Sequence, residues 1–211
     1  TSKYDAFKEH INRFNGRVNL AKMYTELIDI KDRKKFIRKI VKDLYQRRPE
    51  TKALLLSQRI DDIKNIKNYS DKKTQITSAE FHGRVKKDKR DSAKDAELIL
   101  SVYQFASEAL DIPDLNCLIM IQSKKDLEQV LGRIFRKEKG EYDTVPLVID
   151  IIDTLPSFMN QARHRMRKYK KDKFIVKDYI YDPKTKKITH KVTNDYSVYE
   201  EVDLDKDEFL E

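Results

Sequence analysis

Residues 115–136 read LNCLIMIQSKKDLEQVLGRIFR. The first part, 115–122, is an apolar run of strand length. After it, Leu127, Val130, Leu131 and Ile134 recur at helical spacing. A buried strand therefore feeds a helix over 126–136 at its carboxyl end, the repeating unit of open parallel sheets. On that helix Arg133 and Arg136 are three apart and share a face. Two permanently charged guanidiniums on one short face repel unless an anion lies between them. A polyphosphate suits that need, because each guanidinium can give paired hydrogen bonds to phosphoryl oxygens. A solvated basic helix face is the alternative in a chain this charged.

The same alternation extends outward in both directions. Residues 53–57 (ALLLS) predict a short buried strand, and Ile60, Ile63 and Ile66 place a helix after it. Residues 75–82 predict a second strand closed by Gly83, and 84–94 a short charged helix. Further strands are expected at 98–102, 115–122 and 145–152, with a basic helix over 156–171. A charged helix over 33–47, striped by Phe36, Ile37, Ile40, Val41 and Leu44, precedes them and ends before Pro49. Strands alternating with helices imply an α/β fold, a parallel sheet with helices on both faces. Upstream, 3–14 and 18–30 are expected to be helices broken near Asn15-Gly16. Downstream, 173–181 and 187–192 flank Asp182-Pro-Lys-Thr and predict a β-hairpin, followed by an acidic tail expected to be mobile. The expected division is a lead-in over 1–32, a sheet domain over 33–172 and an extension over 173–211.

Charged residues make up 38% of the 211, against about 25% in an average domain. Apolar runs persist, so the composition describes a folded globule and not a disordered chain. The net charge is +9, and residues 195–211 alone carry −7, which leaves about +16 on the remainder. A body that basic suits a polyanionic partner, nucleic acid first. Cys117, the single cysteine, falls in an apolar strand and is expected to be buried and inert. No disulfide can form within the chain, which suits a reducing, intracellular compartment. No apolar stretch approaches the ~18 residues that span a bilayer, so no membrane partner is expected. Thr1 begins no signal-peptide pattern, and without an initiator Met the chain reads as a fragment or a processed product. The four histidines are scattered, so no metal site is expected.

Functional groups of an open parallel sheet gather outside the carboxyl ends of its strands. At those ends the sequence resembles superfamily 2 helicases. VYQFASEALDIPDLNCLIMIQSKKDLEQVLGRIFR, residues 102–136, looks like motifs V and VI, with Gln129-x-x-Gly132-Arg133-x-x-Arg136 matching motif VI without a gap. ALLLSQRID (53–61) resembles motif IV and FHG (81–83) motif IVa. The order and spacing hold over roughly 33–171. The branch is similar to helicases of large cytoplasmic DNA viruses, of poxvirus and asfarvirus type, and to phage recombination-repair helicases. VIDIIDTLPSFMNQARHR (148–165) adds to that likeness.

The resemblance implies the second of two RecA-like domains, with ATP and Mg²⁺ held mainly by a first domain. The chain has no G-x-x-x-x-G-K-[ST] and no Gly-Lys pair at all, so it is expected not to hydrolyse ATP alone. Arg133 and Arg136 match the arginines that reach the γ-phosphate across the cleft, and Gln129 the residue that orients groups there. Gly132 keeps that surface flat. Asp111 matches the motif V acid, and Glu108 lies near it in sequence. Two departures stand out: Val102 replaces the family's threonine, and Ala109 its glycine. Ser57, Gln58, Arg59, His82, Gly83, Arg84, Tyr103 and Ser107 are the expected contacts to a nucleic-acid backbone, DNA or RNA.

Arg163, Arg165, Arg167, Lys168, Lys170, Lys171 and Lys173 form a basic stretch, of which Arg163, Arg167 and Lys170 are the candidate phosphate contacts. The interleaved Tyr169, Phe174, Tyr179 and Tyr181 either stack on bases or pack the hairpin onto its domain. The implied function is the motor half of an ATP-dependent helicase or translocase, working with a first RecA-like domain; if viral, it acts in host cytoplasm or virion. A non-catalytic nucleic-acid or protein-binding module on the same scaffold is the alternative.

Overall fold

The computed structural model describes residues 7–105, 112, 114–125, 127, 130–131, 145–191 and 199–202. Its centre is a five-stranded parallel sheet: β1 (Ala53–Ser57), β2 (Ser78–Phe81), β3 (Leu98–Val102), β4 (Cys117–Met120) and β5 (Leu147–Asp150), in the order β2-β3-β1-β4-β5. The three inner strands are buried along their whole length, which is why they are near-continuous apolar runs. The edges, β2 and β5, are partly exposed.

Side chains split by the twofold strand period. Ala53, Leu55, Leu98, Leu100, Cys117 and Ile119 face α2 (Lys31–Arg47) and α3 (Ile60–Lys73), which bury Ile37, Ile40, Val41, Leu44, Ile63 and Ile66 against them. Leu54, Leu56, Ile99, Leu118 and Met120 face the other way. They meet Ala93 of α4 (Lys87–Ala93), the trio Leu127, Val130 and Leu131, and Tyr169 of α5 (Pro156–Lys171). Each fully buried aliphatic side chain contributes about 1.5–3 kcal/mol. Cys117 lies in this core, and burial pushes its thiol up to about 12, so it stays protonated and inert.

The lead-in differs from expectation. Ile11 and Val18 form an antiparallel bridge, and α1 covers only Leu20–Leu27. The helix expected over 3–14 is not formed across 7–14. The side chains of Asn12 and Asn15 accept the backbone N–H groups of Phe14 and Arg17, and Gly16 takes φ +64°. These local bonds offer the backbone a turn in place of a helix. Asn19 caps α1 by accepting from the Lys22 N–H at 3.0 Å. Met23, Tyr24 and Leu27 then pack on Phe158 at the start of α5.

Beyond α5 the hairpin forms as expected, β6 (Asp178–Tyr181) pairing with β7 (Ile188–Lys191) around Asp182. A third antiparallel strand, β8 (Tyr199–Val202), adds to β7, so part of the tail expected to be mobile is paired. Tyr181 stacks on Phe36 of α2 with ring centres 4.2 Å apart, and Phe174 meets Tyr169 at 5.5 Å. Those aromatics pack the extension onto the sheet domain instead of standing free for bases.

Candidate functional site

The sheet order places a topological switch between β1 and β4. From β1 the chain leaves towards β2, and from β4 towards β5. The crevice above such a pair is where open sheets usually take ligands. Here it is filled by the chain's own polar side chains.

Ser57, at the end of β1, is fully buried. Its Oγ lies 3.2 Å from Asp62 Oδ2 and 3.1 Å from Gln122 Oε1, and it accepts the Arg59 N–H. One hydroxyl hydrogen serves one acceptor, so two arrangements are open. Burial raises the Asp62 pKa, with Arg33 and Ser57 opposing it. A protonated Asp62 donating to Ser57, and Ser57 donating to Gln122, satisfies every group. Gln122 completes the lock by accepting the Gln58 N–H and donating through Nε2 to Tyr24 O.

Two buried ion pairs flank this lock. Arg33 binds Asp153 through Nε and Nη2, at 2.8 and 3.0 Å. Arg165 binds Asp150 through Nε and Nη2, at 2.7 and 2.9 Å. Burial disfavours the Arg165 charge, but Asp150 outweighs it and the guanidinium pKa rises. Sequence patterning missed all four residues. The signal was present, since Asp150 and Asp153 interrupt an apolar run and a buried carboxylate needs a partner. Arg165 belongs to the basic stretch expected either to bind phosphates or to form a solvated helix face; it is 2% exposed and points inward.

The segment that leaves β4 is held carbonyl by carbonyl. Ile121 O accepts from Arg33 Nη2. Gln122 O accepts from the Tyr103 hydroxyl at 2.8 Å. Ser123 O accepts from the Tyr24 hydroxyl at 2.7 Å and Gln58 Nε2 at 3.0 Å. Lys124 O accepts from Arg165 Nη1 at 2.7 Å, and the same nitrogen donates to Ser123 Oγ at 3.0 Å. Immediately beyond, Leu127, Val130 and Leu131 are buried, and the Leu131 N–H donates to Leu127 O at 2.9 Å, as a helix requires.

The candidate contacts at the strand ends divide sharply. Ser57 and Tyr103 are buried with their hydroxyls spent internally. Burial, then Asp150, pushes the Tyr103 phenol well above its ordinary value, so it remains a donor. Gln58 is half-buried and committed to Gln122 and Ser123. Arg59 reaches α1, donating to Ala21 O at 2.6 Å and Thr25 Oγ1 at 3.2 Å. His82 is buried; its Nδ1 accepts the Arg84 N–H at 3.3 Å, so Nε2–H donates to Glu80 at 2.8 Å and closes the strand end. Gly83 lies against the Phe105 ring, where a Cβ would come within 2.6 Å of a ring carbon.

Arg84 is exposed. Arg163, Arg167 and Lys170 are also exposed and share one face of α5, opposite Phe158, Ala162, Arg165 and Tyr169. Gln129, Gly132, Arg133, Arg136, Glu108, Asp111 and Ser107 lie outside the described residues.

Among the described residues no group of acids, cysteines and histidines is placed to hold a metal ion. No described helix is long and apolar enough to cross a membrane. The only buried side-chain polar atoms described without a partner are Arg38 Nε and Ser70 Oγ, which lie on the helices α2 and α3.

Residues 33–138 match the helicase conserved C-terminal domain family. The chain is 31% identical over 199 residues to a protein of Acanthamoeba polyphaga mimivirus, named provisionally as ATP-dependent RNA helicase L396. That match takes in 92% of this chain but spans only 37% of the mimivirus protein. Among solved structures, T4 UvsW aligns with 76% of this chain and 36% of its own, at 19% identity and a TM-score of 0.57. The DUF1998 helicase MrfA, solved with DNA and AMPPNP, aligns with 65% of this chain and 20% of its own, at 11% identity and a TM-score of 0.51. At such identities the two structures speak to the fold alone, which is RecA-like.

Proposed function

This chain belongs to the helicase conserved C-terminal domain family, and from that premise we propose that it is the second motor domain of an ATP-dependent nucleic-acid helicase or translocase. The reading is carried by one observation. The motif VI pattern Gln129-x-x-Gly132-Arg133-x-x-Arg136 directly follows the strand end at the switch point, within the span that matches the family. ATP is then the substrate, bound with Mg²⁺ by a first RecA-like domain. Its hydrolysis supplies the free energy of movement.

The contribution of this chain is charge. Arg133 and Arg136 face the terminal phosphate and offset the negative charge that develops as it leaves. Gln129 orients groups at the cleft, while Glu108 and Asp111 balance the arginines when the cleft is open. Cleft closure and reopening move the two domains along a strand. Nucleic acid, DNA or RNA, runs across the sheet top and is held by its backbone, with Arg84 after β2 and Arg163, Arg167 and Lys170 on α5 as the exposed candidate contacts. A viral setting, with work in host cytoplasm or virion, accords with the mimivirus relative.

In the full-length protein Arg136→Ala is expected to lower ATPase by about 10³-fold or more, the scale of an arginine finger. Nucleic-acid affinity should change by only a few-fold. Undiminished hydrolysis in that protein would refute the motor assignment. The binding-module reading draws support from Val102, which is buried in the core and offers no hydroxyl where the family has threonine. Joining this chain to a first domain with an intact phosphate loop separates the two, because only the motor reading predicts that hydrolysis appears.

A further inference from the structure

A buried backbone carbonyl needs a hydrogen-bond partner, and within a sheet the neighbouring backbone supplies it. After β4 this changes: Ile121, Gln122, Ser123 and Lys124 each have their carbonyl engaged by a side chain. The donors come from five separate places: α2 (Arg33), the loop after β3 (Tyr103), α1 (Tyr24), the loop after β1 (Gln58) and α5 (Arg165). Two of these, Tyr24 and Arg165, lie outside the span that matches the family. The two guanidiniums are themselves locked, each by a two-point contact with an aspartate. Plain closure of the crevice would need polar satisfaction but not donors from so many elements on one short backbone run.

We propose that Tyr103 and Arg165 are positioning residues for ATP hydrolysis, clamping residues 121–124, from which the chain runs on to Arg133 and Arg136, and thereby limiting how far those arginines can be displaced. The proposal rests on the motor reading above. Its physical content is that residues 121–124 cannot shift without breaking several buried hydrogen bonds at once. A misplacement of 1 Å in a catalytic group costs on the order of 10²-fold in rate. The clamp also ties the motif IV and motif V loops, through Gln58 and Tyr103, to the same backbone. A shift of either loop is thereby felt at the arginines.

The test uses the full-length protein and three variants. Tyr103→Phe deletes one donor and keeps the ring. Arg165→Gln combined with Asp150→Asn deletes the α5 donors while leaving no buried charge unpaired. Arg133→Ala together with Arg136→Ala marks the groups acted upon. Both clamp variants are expected to lower kcat for ATP by roughly ten-fold to 10²-fold, the scale of a displaced catalytic group. KM for ATP and Kd for a single-stranded oligonucleotide should stay within about two-fold, since the clamp touches neither ligand. In a background carrying both Arg133→Ala and Arg136→Ala the clamp substitutions should add no further loss.

Amide exchange at Leu131 should quicken in Tyr103→Phe while the β1 and β3 amides keep their protection. An unchanged kcat in Tyr103→Phe overturns the proposal, even if the charge-pair variant fails to fold. Losses that multiply with the Arg133→Ala/Arg136→Ala pair overturn it too, since the clamp would then act elsewhere. Wild-type hydrolysis by the Arg133→Ala/Arg136→Ala variant overturns the motor reading, and this proposal with it.

Discussion

Asp62 sits in the first turn of α3, where the helix dipole favours a negative charge, yet burial dominates and raises its pKa above the ordinary 3.8. The reason lies in its neighbours. Arg33 is already neutralised by Asp153, so an ionised Asp62 would leave a net buried negative charge. A raised pKa in the fold means stability that is complete below the unfolded value and is lost as pH climbs through the folded one. Asp62→Asn keeps a donor towards Ser57 and cannot ionise. From about pH 4 upward its stability should therefore gain on the wild type by up to about 1.4 kcal/mol for every pH unit, until Asp62 is ionised in the fold. Urea melts at stepped pH check this, and parallel curves for the two proteins would count against a protonated Asp62.

At the scale of an element, α5 shows how local and distant demands combine. Pro156 opens the helix, where its missing N–H costs nothing. At the other end the Phe174 N–H donates to Tyr169 O at 2.9 Å and the Lys173 N–H to Lys170 O at 3.2 Å, while the Tyr169 and Phe174 rings touch. That is a Schellman stop, and it needs a left-handed residue at Lys173, which takes φ +60°. Lysine is strained there by about 1 kcal/mol relative to glycine. Lys173→Gly should therefore stabilise the chain by roughly 0.5–1 kcal/mol, less the extra freedom glycine gives the unfolded chain. Thermal melts would show it as a rise of a few degrees. The start of α5 was legible in sequence because Pro156 opens it. The bend of the lead-in into a hairpin was not, because an Asn-rich turn and a frayed helix start share the same composition.

For the molecule as a whole, the charge distribution matters more than its sum. The exposed arginines of α5 lie on one face, and the acidic tail is separate in sequence. If Arg163 and Arg167 each contact a phosphate, replacing both by Gln should flatten the slope of log affinity against log salt by roughly 1.4–1.8. The ATP-hydrolysis rate at saturating nucleic acid should survive. A slope that does not move would mark that face as merely solvated.

The order and kind of the sheet-domain elements followed from the chain alone. Apolar runs of strand length and stripes of helical period are local properties, set by which side chains can leave water together. Arg133 and Arg136 are read in the same local way, as a short spacing of charges that suits an anion, and they lie outside the described residues. Which charged residues turn inward was not legible. Arg165 and Arg167 are near neighbours in a run of cations, and only the placement of Asp150 on β5 makes one of them a buried partner and leaves the other in water. Tyr103 and Ser57 likewise became internal donors because α1 and the end of β4 close over the switch point. Burial of a polar group is decided by what sits across from it, and that neighbour is supplied by the folded chain from a distant part of the sequence.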